Sequence, residues 1–152
     1  MTTLILAFLI GVIAGLRAMT APAAVSWAAR LGWLHLENTG LAFLGYAAVP
    51  YVFSALAIGE LITDQLPSTP SRKVPVQFGT RILVGALCGA AFGAPGDNLI
   101  GGLIAGALGA IAGTLGGAGL RSRLAKTFRN DHPAALLEDA IAIGGAFLIV
   151  SR

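Results

Sequence analysis

The sequence predicts an all-α integral membrane protein, a compact bundle of four to six short or broken transmembrane helices. Three observations carry that prediction. Hydrophobic residues make up 56% of the chain and charged residues only 11%, against the ~25% usual in soluble domains. Mean hydropathy is +0.82, so too few charges exist to cover a water-facing surface of this size. The apolar residues fall in runs separated by short polar breaks, and 21 of the 152 residues are glycine, the small residue that lets membrane helices pack closely.

The runs follow in order. Residues 3–16 are the first, uncharged throughout, and GLRAMTAP at 15–22 ends it. Residues 21–34 are the second. Residues 39–66 are the third, with Pro50 expected to kink it. TPSRKVP at 69–75 reads as a loop, because each proline restricts the residue before it. Residues 79–93 are the fourth run, and APGDN at 94–98 is a tight turn by composition. Residues 98–120 are the fifth, followed by a basic connection, RSRLAKTFRND, at 121–131. Pro133 suits the first turn of a sixth helix reaching about Val150. Runs one, two and four would each be only ~21 Å long at 1.5 Å per residue, short of a perpendicular span. Half-helices or buried re-entrant arms are the alternatives.

Charge orients the chain. With six spans and Arg72 and Lys73 on the cytoplasmic side, Arg17 and the 121–131 stretch fall on that side too. Only Arg30 and Arg152 fall outside, as the positive-inside rule asks. Both termini then face out; were runs one and two a single broken span, the N-terminus would face in. No Lys or Arg precedes the first run, which argues against a signal peptide. The whole chain, 1–152, reads as one polytopic domain. Gly11, Gly15 and Pro22 are echoed by Gly85, Gly89 and Pro95, which suggests pseudo-repeats at 1–66 and 79–152 in a 3+3 inverted arrangement.

The ionisable residues give the functional reading. Glu60 and Asp64 are four apart, on one helix face. Arg17 stands at a helix break, Arg81 opens the fourth run, Arg121 closes the fifth, and Glu138 and Asp139 lie about five residues into the last. In the six-span arrangement all seven form one layer near the cytoplasmic face. Arginine binds anions through a rigid fork of donors, and neighbouring carboxylates share or relay protons. The layer therefore reads as an ion-binding site: Arg17, Arg81 and Arg121 bind or balance charge, while Glu60, Asp64, Glu138 and Asp139 couple protons or hold a cation. The competing reading is a salt-bridge layer that only locks helices. Ser71 and Arg72, with Lys73, could contact an anion from the loop, although the glycines and spacing of a phosphate-binding loop are missing.

Gly85, Gly89 and Gly93, Gly102 and Gly106, and Gly109, Gly113 and Gly117 form ridges for packing within the chain or for a homo-oligomer. Cys88 reads as a small packing residue. Trp27, Trp33, Tyr46 and Tyr51 read as an interfacial belt, with an aromatic-lined vestibule as the alternative. His35 and His132 lack partners at metal-ligand spacing, so no metal or cofactor is expected. The basic residues are too few, and too scattered among apolar runs, for nucleic-acid binding. No nucleophile-and-base spacing of known type appears, so an enzyme is not the leading reading.

GLRAMTAPAAVSWAARLGWL, GELITDQLPSTPSR, GALCGAAFGA and EDAIAIGGAFLIVSR resemble a family of small bacterial membrane proteins known as domain of unknown function 4126. The resemblance covers nearly the whole chain and implies a multi-pass inner-membrane protein, without an activity, substrate or catalytic residue. The expectation is a small inner-membrane transporter or channel-like protein for a small ion or anion, with the bilayer and that ion as partners. A non-transporting scaffold and a lipid-headgroup enzyme are the rivals.

Overall fold

The computed structural model describes residues 1–66 and 74–152. Six α-helices account for most of them: α1 (Thr2–Leu16), α2 (Thr20–Arg30), α3 (Val49–Thr63), α4 (Pro75–Gly93), α5 (Leu99–Phe128) and α6 (Asp131–Val150). Short 3₁₀ turns at Ala42–Gly45 and Ala94–Gly96 join them. Three stretches, Pro75–Gly96, Leu99–Phe128 and Asp131–Val150, are long and apolar enough to cross a membrane, and α1 and α3 are shorter apolar helices. The chain is thus all-helical among its described residues and has the make-up of a membrane protein.

Two element boundaries correct the sequence reading. Pro50 lies in the first turn of α3 and begins it, where its missing N–H is no loss; it does not kink a longer helix, and residues 39–48 form turns instead. The stretch 121–128, expected to be a connection, continues α5 to a length of 30 residues. Arg, Leu, Ala and Lys all favour helix, and no glycine or proline intervenes. The helix stops at Arg129, whose φ of +53° is left-handed. Asn130 then caps α6 by accepting the His132 backbone N–H at 3.3 Å.

Backbone-to-backbone packing of glycines fixes the central trio α1, α4 and α5. Gly89 of α4 lies against Gly102 and Gly106 of α5, while Gly11 and Gly15 of α1 meet Gly106 and Ala110 on the same helix. A Cβ on Gly106 would overlap the Gly85 carbonyl, and one on Gly113 would overlap that of Val12. With no side chain between them, helices approach closely enough for dispersion contacts to replace the hydrophobic drive that lipid cannot supply. The matched positions make α4 antiparallel to α5, and α1 parallel to it. The two arrays of ridges on α4 and α5 are therefore consumed largely within the chain.

The other helices pack around this trio. Gly145 of α6 meets Ile13 of α1, and Asp139 meets Arg17, so those helices are antiparallel. Trp27 pairs with Ser54 and Tyr51, while Ala18 and Met19 meet Glu60, so α2 and α3 are antiparallel. Successive helices consequently alternate in direction, and the chain reverses at Arg17. The reversal puts the end of α1, the start of α2, the end of α3 and the first half of α4 at one level. That level is ~22 Å along α1 from its first residue at 1.5 Å per residue.

Candidate functional site

The site begins with the backbone at the reversal. Arg17 is extended, with φ −139° and ψ 109°, between two helices. A break there leaves the last carbonyls of α1 and the first N–H groups of α2 without helical partners. In an apolar bundle each such group costs free energy unless something else bonds it. Charged side chains do so on both sides.

Arg81 of α4 serves the end of α1. Its Nη1 donates to the carbonyls of Gly15 and Leu16, both at 2.9 Å. The Thr114 hydroxyl, which donates to the Ala110 carbonyl at 2.8 Å, also lies 3.2 Å from the Gly15 carbonyl. Glu60 of α3 serves the start of α2. Its two carboxylate oxygens accept the backbone N–H groups of Ala18 and Met19, each at 2.8 Å. A cation thus meets the negative end of one helix dipole and an anion meets the positive end of the next. The two capping groups also face one another, with Arg81 Nη2 3.5 Å from Glu60 Oε1.

Arg17 itself is fully enclosed, with 0% of its side chain exposed. Its guanidinium contacts the carboxylates of Asp64, at the end of α3, and Asp139, on α6. Gln65 Nε2 reaches the second Asp139 oxygen at 3.4 Å. One arginine therefore ties the reversal to both flanking helices. Further along, Arg121 of α5 donates through Nε to Asp131 at 2.9 Å and lies 3.9 Å from the buried Glu138. It also reaches the Asp64 carbonyl at 3.5 Å.

All seven side chains singled out in the helical segments, Arg17, Glu60, Asp64, Arg81, Arg121, Glu138 and Asp139, lie in this one layer. They divide into three groups: Arg17 with Asp64 and Asp139, Arg81 with Glu60, and Arg121 with Glu138. Glu60 and Asp64, though on one face by spacing, take different arginines. Ser71 and Arg72 lie outside the described residues.

A cleft of about 480 Å³ opens beside the layer between α3 and α4. Ala18, Met19, Glu60, Asp64, Thr80 and Arg81 are among its walls, so the Glu60–Arg81 pair borders it. Among the described residues no three His, Cys, Asp or Glu side chains converge as a metal site would need.

The family model described as a domain of unknown function, DUF4126, matches residues 4–151. The chain belongs to that family. No curated protein and no solved structure matches it. The geometry of this DUF4126 fold adds seven residues to the site. Asp131 is hidden in sequence inside a stretch that reads as a basic connection, and its place at the start of α6 is what aims it at Arg121. Gln65 and Thr114 carry no charge and give no sequence signal. Gly15, Leu16, Ala18 and Met19 take part through their backbone groups, which no side-chain pattern reveals.

Proposed function

We propose that this DUF4126 protein is a multi-pass transporter or channel-like protein for a small ion, in the bacterial inner (cytoplasmic) membrane, with the charged layer as its binding site. The observation that carries this reading is the reversal at Arg17. Its two helix ends are held by an acidic and a basic side chain, Glu60 and Arg81, and both border a cleft. Ionisable groups inside membrane helices cost ~2.5–3.5 kcal/mol each on insertion scales and characteristically mark ion pathways. Broken helices whose ends point at charged groups are the ion and substrate sites of many transporters.

The exchange chemistry follows from the contacts. Glu60 occupies the two N–H groups and the guanidinium edge that a small anion would occupy. An anion entering the cleft competes with Glu60 for them; a proton or small cation competes with Arg81 for Glu60. At 3.5 Å the Glu60–Arg81 pair is longer than the 2.8–2.9 Å hydrogen bonds that the two residues make to the backbone, and both residues border the cleft. The layer would lie inside a hydrocarbon core ~30 Å thick if the far ends of the helices met the opposite interface. In this reading α4, α5 and α6 cross the membrane, the shorter α1, α2 and α3 are short or broken spans, and the charged face is cytoplasmic. Helices α1–α3 and α4–α6 run in opposite senses, which a 3+3 inverted arrangement requires. Their packing is unequal, since α5 lies along both α1 and α4 while α2 packs chiefly on α3.

Flux from proteoliposomes tests the reading. Wild type should move at least one ion of a panel, with Glu60→Gln reducing that flux at least tenfold. Identical flux for both proteins across ions and pH would contradict it.

A second reading is a non-transporting scaffold, favoured by the complete enclosure of Arg17 between Asp64 and Asp139. There the layer only locks the reversal to α3 and α6. A homo-oligomer in either reading would need faces other than the ridges already packed within the chain. The scaffold predicts no flux in wild type and a partner that co-purifies with it.

A further inference from the structure

A second cavity lies on the other side of α2 and shares nothing with the charged layer's chemistry. It is a groove of about 470 Å³ between α2, α3 and α6. Thr20 lies at one end, near the level of Arg17, and Leu31, Trp33 and Val150 lie at the other. Its length follows α2 from Thr20 to Arg30, ~15 Å at 1.5 Å per residue. The walls are apolar or aromatic, with Trp27 and Phe147 prominent. Ser54 is a polar exception, and its hydroxyl already accepts the Trp27 indole N–H at 3.0 Å. Trp33 meets Phe147 edge-on at 6.2 Å.

The volume lies within the ~300–1,000 Å³ of ligand sites, and such sites are mostly apolar with few polar groups. In a membrane protein the medium outside a laterally open groove is acyl chain. The groove runs along the helix axes, which is the direction lipid chains take. Charge then distinguishes one lipid from another. Arg30 ends α2 beside Leu31, and Arg152 follows α6 two residues after Val150, so both cations stand at the same end of the groove. Both are exposed. Neither arginine lines the groove itself; each follows or precedes a lining residue, Val150 or Leu31, at its mouth. The carboxylates on that side of the molecule, Glu37 and Asp97, do not line it either, and Arg30 borders a separate cavity with Glu37 and Tyr46.

We infer that this groove holds one acyl chain of an anionic phospholipid, with its phosphate headgroup at Arg30 and Arg152. The aromatic residues give the chain a rigid wall, and the two guanidinium groups select the headgroup by charge-assisted hydrogen bonds. The binding is independent of any ion that the charged layer takes.

The sequence holds two tryptophans, and both line this groove, so intrinsic fluorescence reports on its contents. The full chain is reconstituted in phosphatidylcholine vesicles containing a small fraction of either brominated phosphatidylglycerol or brominated phosphatidylcholine. The expected result is quenching by the phosphatidylglycerol at a several-fold lower mole fraction. Arg30→Gln with Arg152→Gln, both at exposed positions, should bring the two lipids to equal potency. Ala24→Phe, which fills the groove and leaves both arginines in place, should also remove the preference. Equal quenching by the two lipids in wild type would overturn the inference, as would a preference unchanged in the double glutamine variant or in Ala24→Phe.

Discussion

Glu60 and Arg81 face each other at 3.5 Å across the gap between α3 and α4, and each holds one side of the same chain reversal. Glu60 takes the N–H groups of Ala18 and Met19, which lead into α2, and Arg81 takes the carbonyls that α1 leaves open. The pair thus replaces the helical hydrogen bonds lost when the chain turns inside an apolar bundle. Removing either member should expose a defined part of the backbone. Glu60→Ala is expected to cost about 1–3 kcal/mol, the penalty for buried groups left without a partner. Hydrogen exchange should quicken at Ala18 and Met19, just before α2, more than at positions within the helix. Uniform exchange along α2 would show that Glu60 does not hold its start.

Arg17 should behave as a buried tie. Breaking a buried pair by removing one partner costs about 3–5 kcal/mol, because the opposite charge is left enclosed. Arg17→Gln should therefore unfold much more readily in a denaturing-detergent titration. Adding Asp64→Asn and Asp139→Asn to it should recover a large part of the loss. Additive losses in the triple variant would mean that the three groups do not act as a unit.

Arg121 provides the contrast. Its partner Asp131 is 54% exposed, where an ion pair contributes only about 0–1 kcal/mol. Asp131→Asn should lower stability by no more than about 1 kcal/mol in the same titration, and added salt should shrink the difference further. A loss comparable to that of Arg17→Gln would place Asp131 in the enclosed part of the layer.

The glycine packing makes a prediction of its own. A Cβ on Gly106 meets the backbone of both Gly85 and Gly89, whereas one on Gly116 of the same helix meets no atom within 4 Å. Gly106→Ala should destabilise by roughly 1–3 kcal/mol through overpacking. Gly116→Ala should be neutral or stabilising by up to about 1 kcal/mol, as glycine is the poorer helix former. Equal effects at the two positions would contradict the close α4–α5 contact.

Much of this arrangement is legible in the amino-acid sequence. The six apolar runs appear because their breakers, GLRAMTAP, APGDN and Pro133, are strong local signals. The shared level of the seven charged residues follows from each lying near a run's end and from successive runs alternating in direction. The pairing is another matter. Glu60 and Asp64 sit on one face by spacing, yet one turn of helix carries Asp64 to Arg17 while Glu60 meets the backbone at Ala18 and Met19. Such contacts depend on where the chain reverses, which is a tertiary fact. The helical course of 121–128 is obscured by its charge, since Arg121, Arg123 and Lys126 read as a loop when polarity is weighed above propensity. The groove beside α2 is invisible in sequence because alanines at 23, 24, 28, 57 and 146 look like close packing until α3 and α6 are seen to splay around them.

The central claim is that the layer binds a small ion through the Glu60–Arg81 gap. Thermal stabilisation of the purified protein by a panel of anions and cations tests it most directly. A ligand at ~100 times its Kd adds about 2.7 kcal/mol to stability, a readily measured shift. The account predicts at least one stabilising ion, its effect lost in folded Glu60→Gln and retained in Asp131→Asn. Stabilisation by no ion of the panel, or a shift undiminished in Glu60→Gln, would contradict it and leave the layer as a lock built around Arg17.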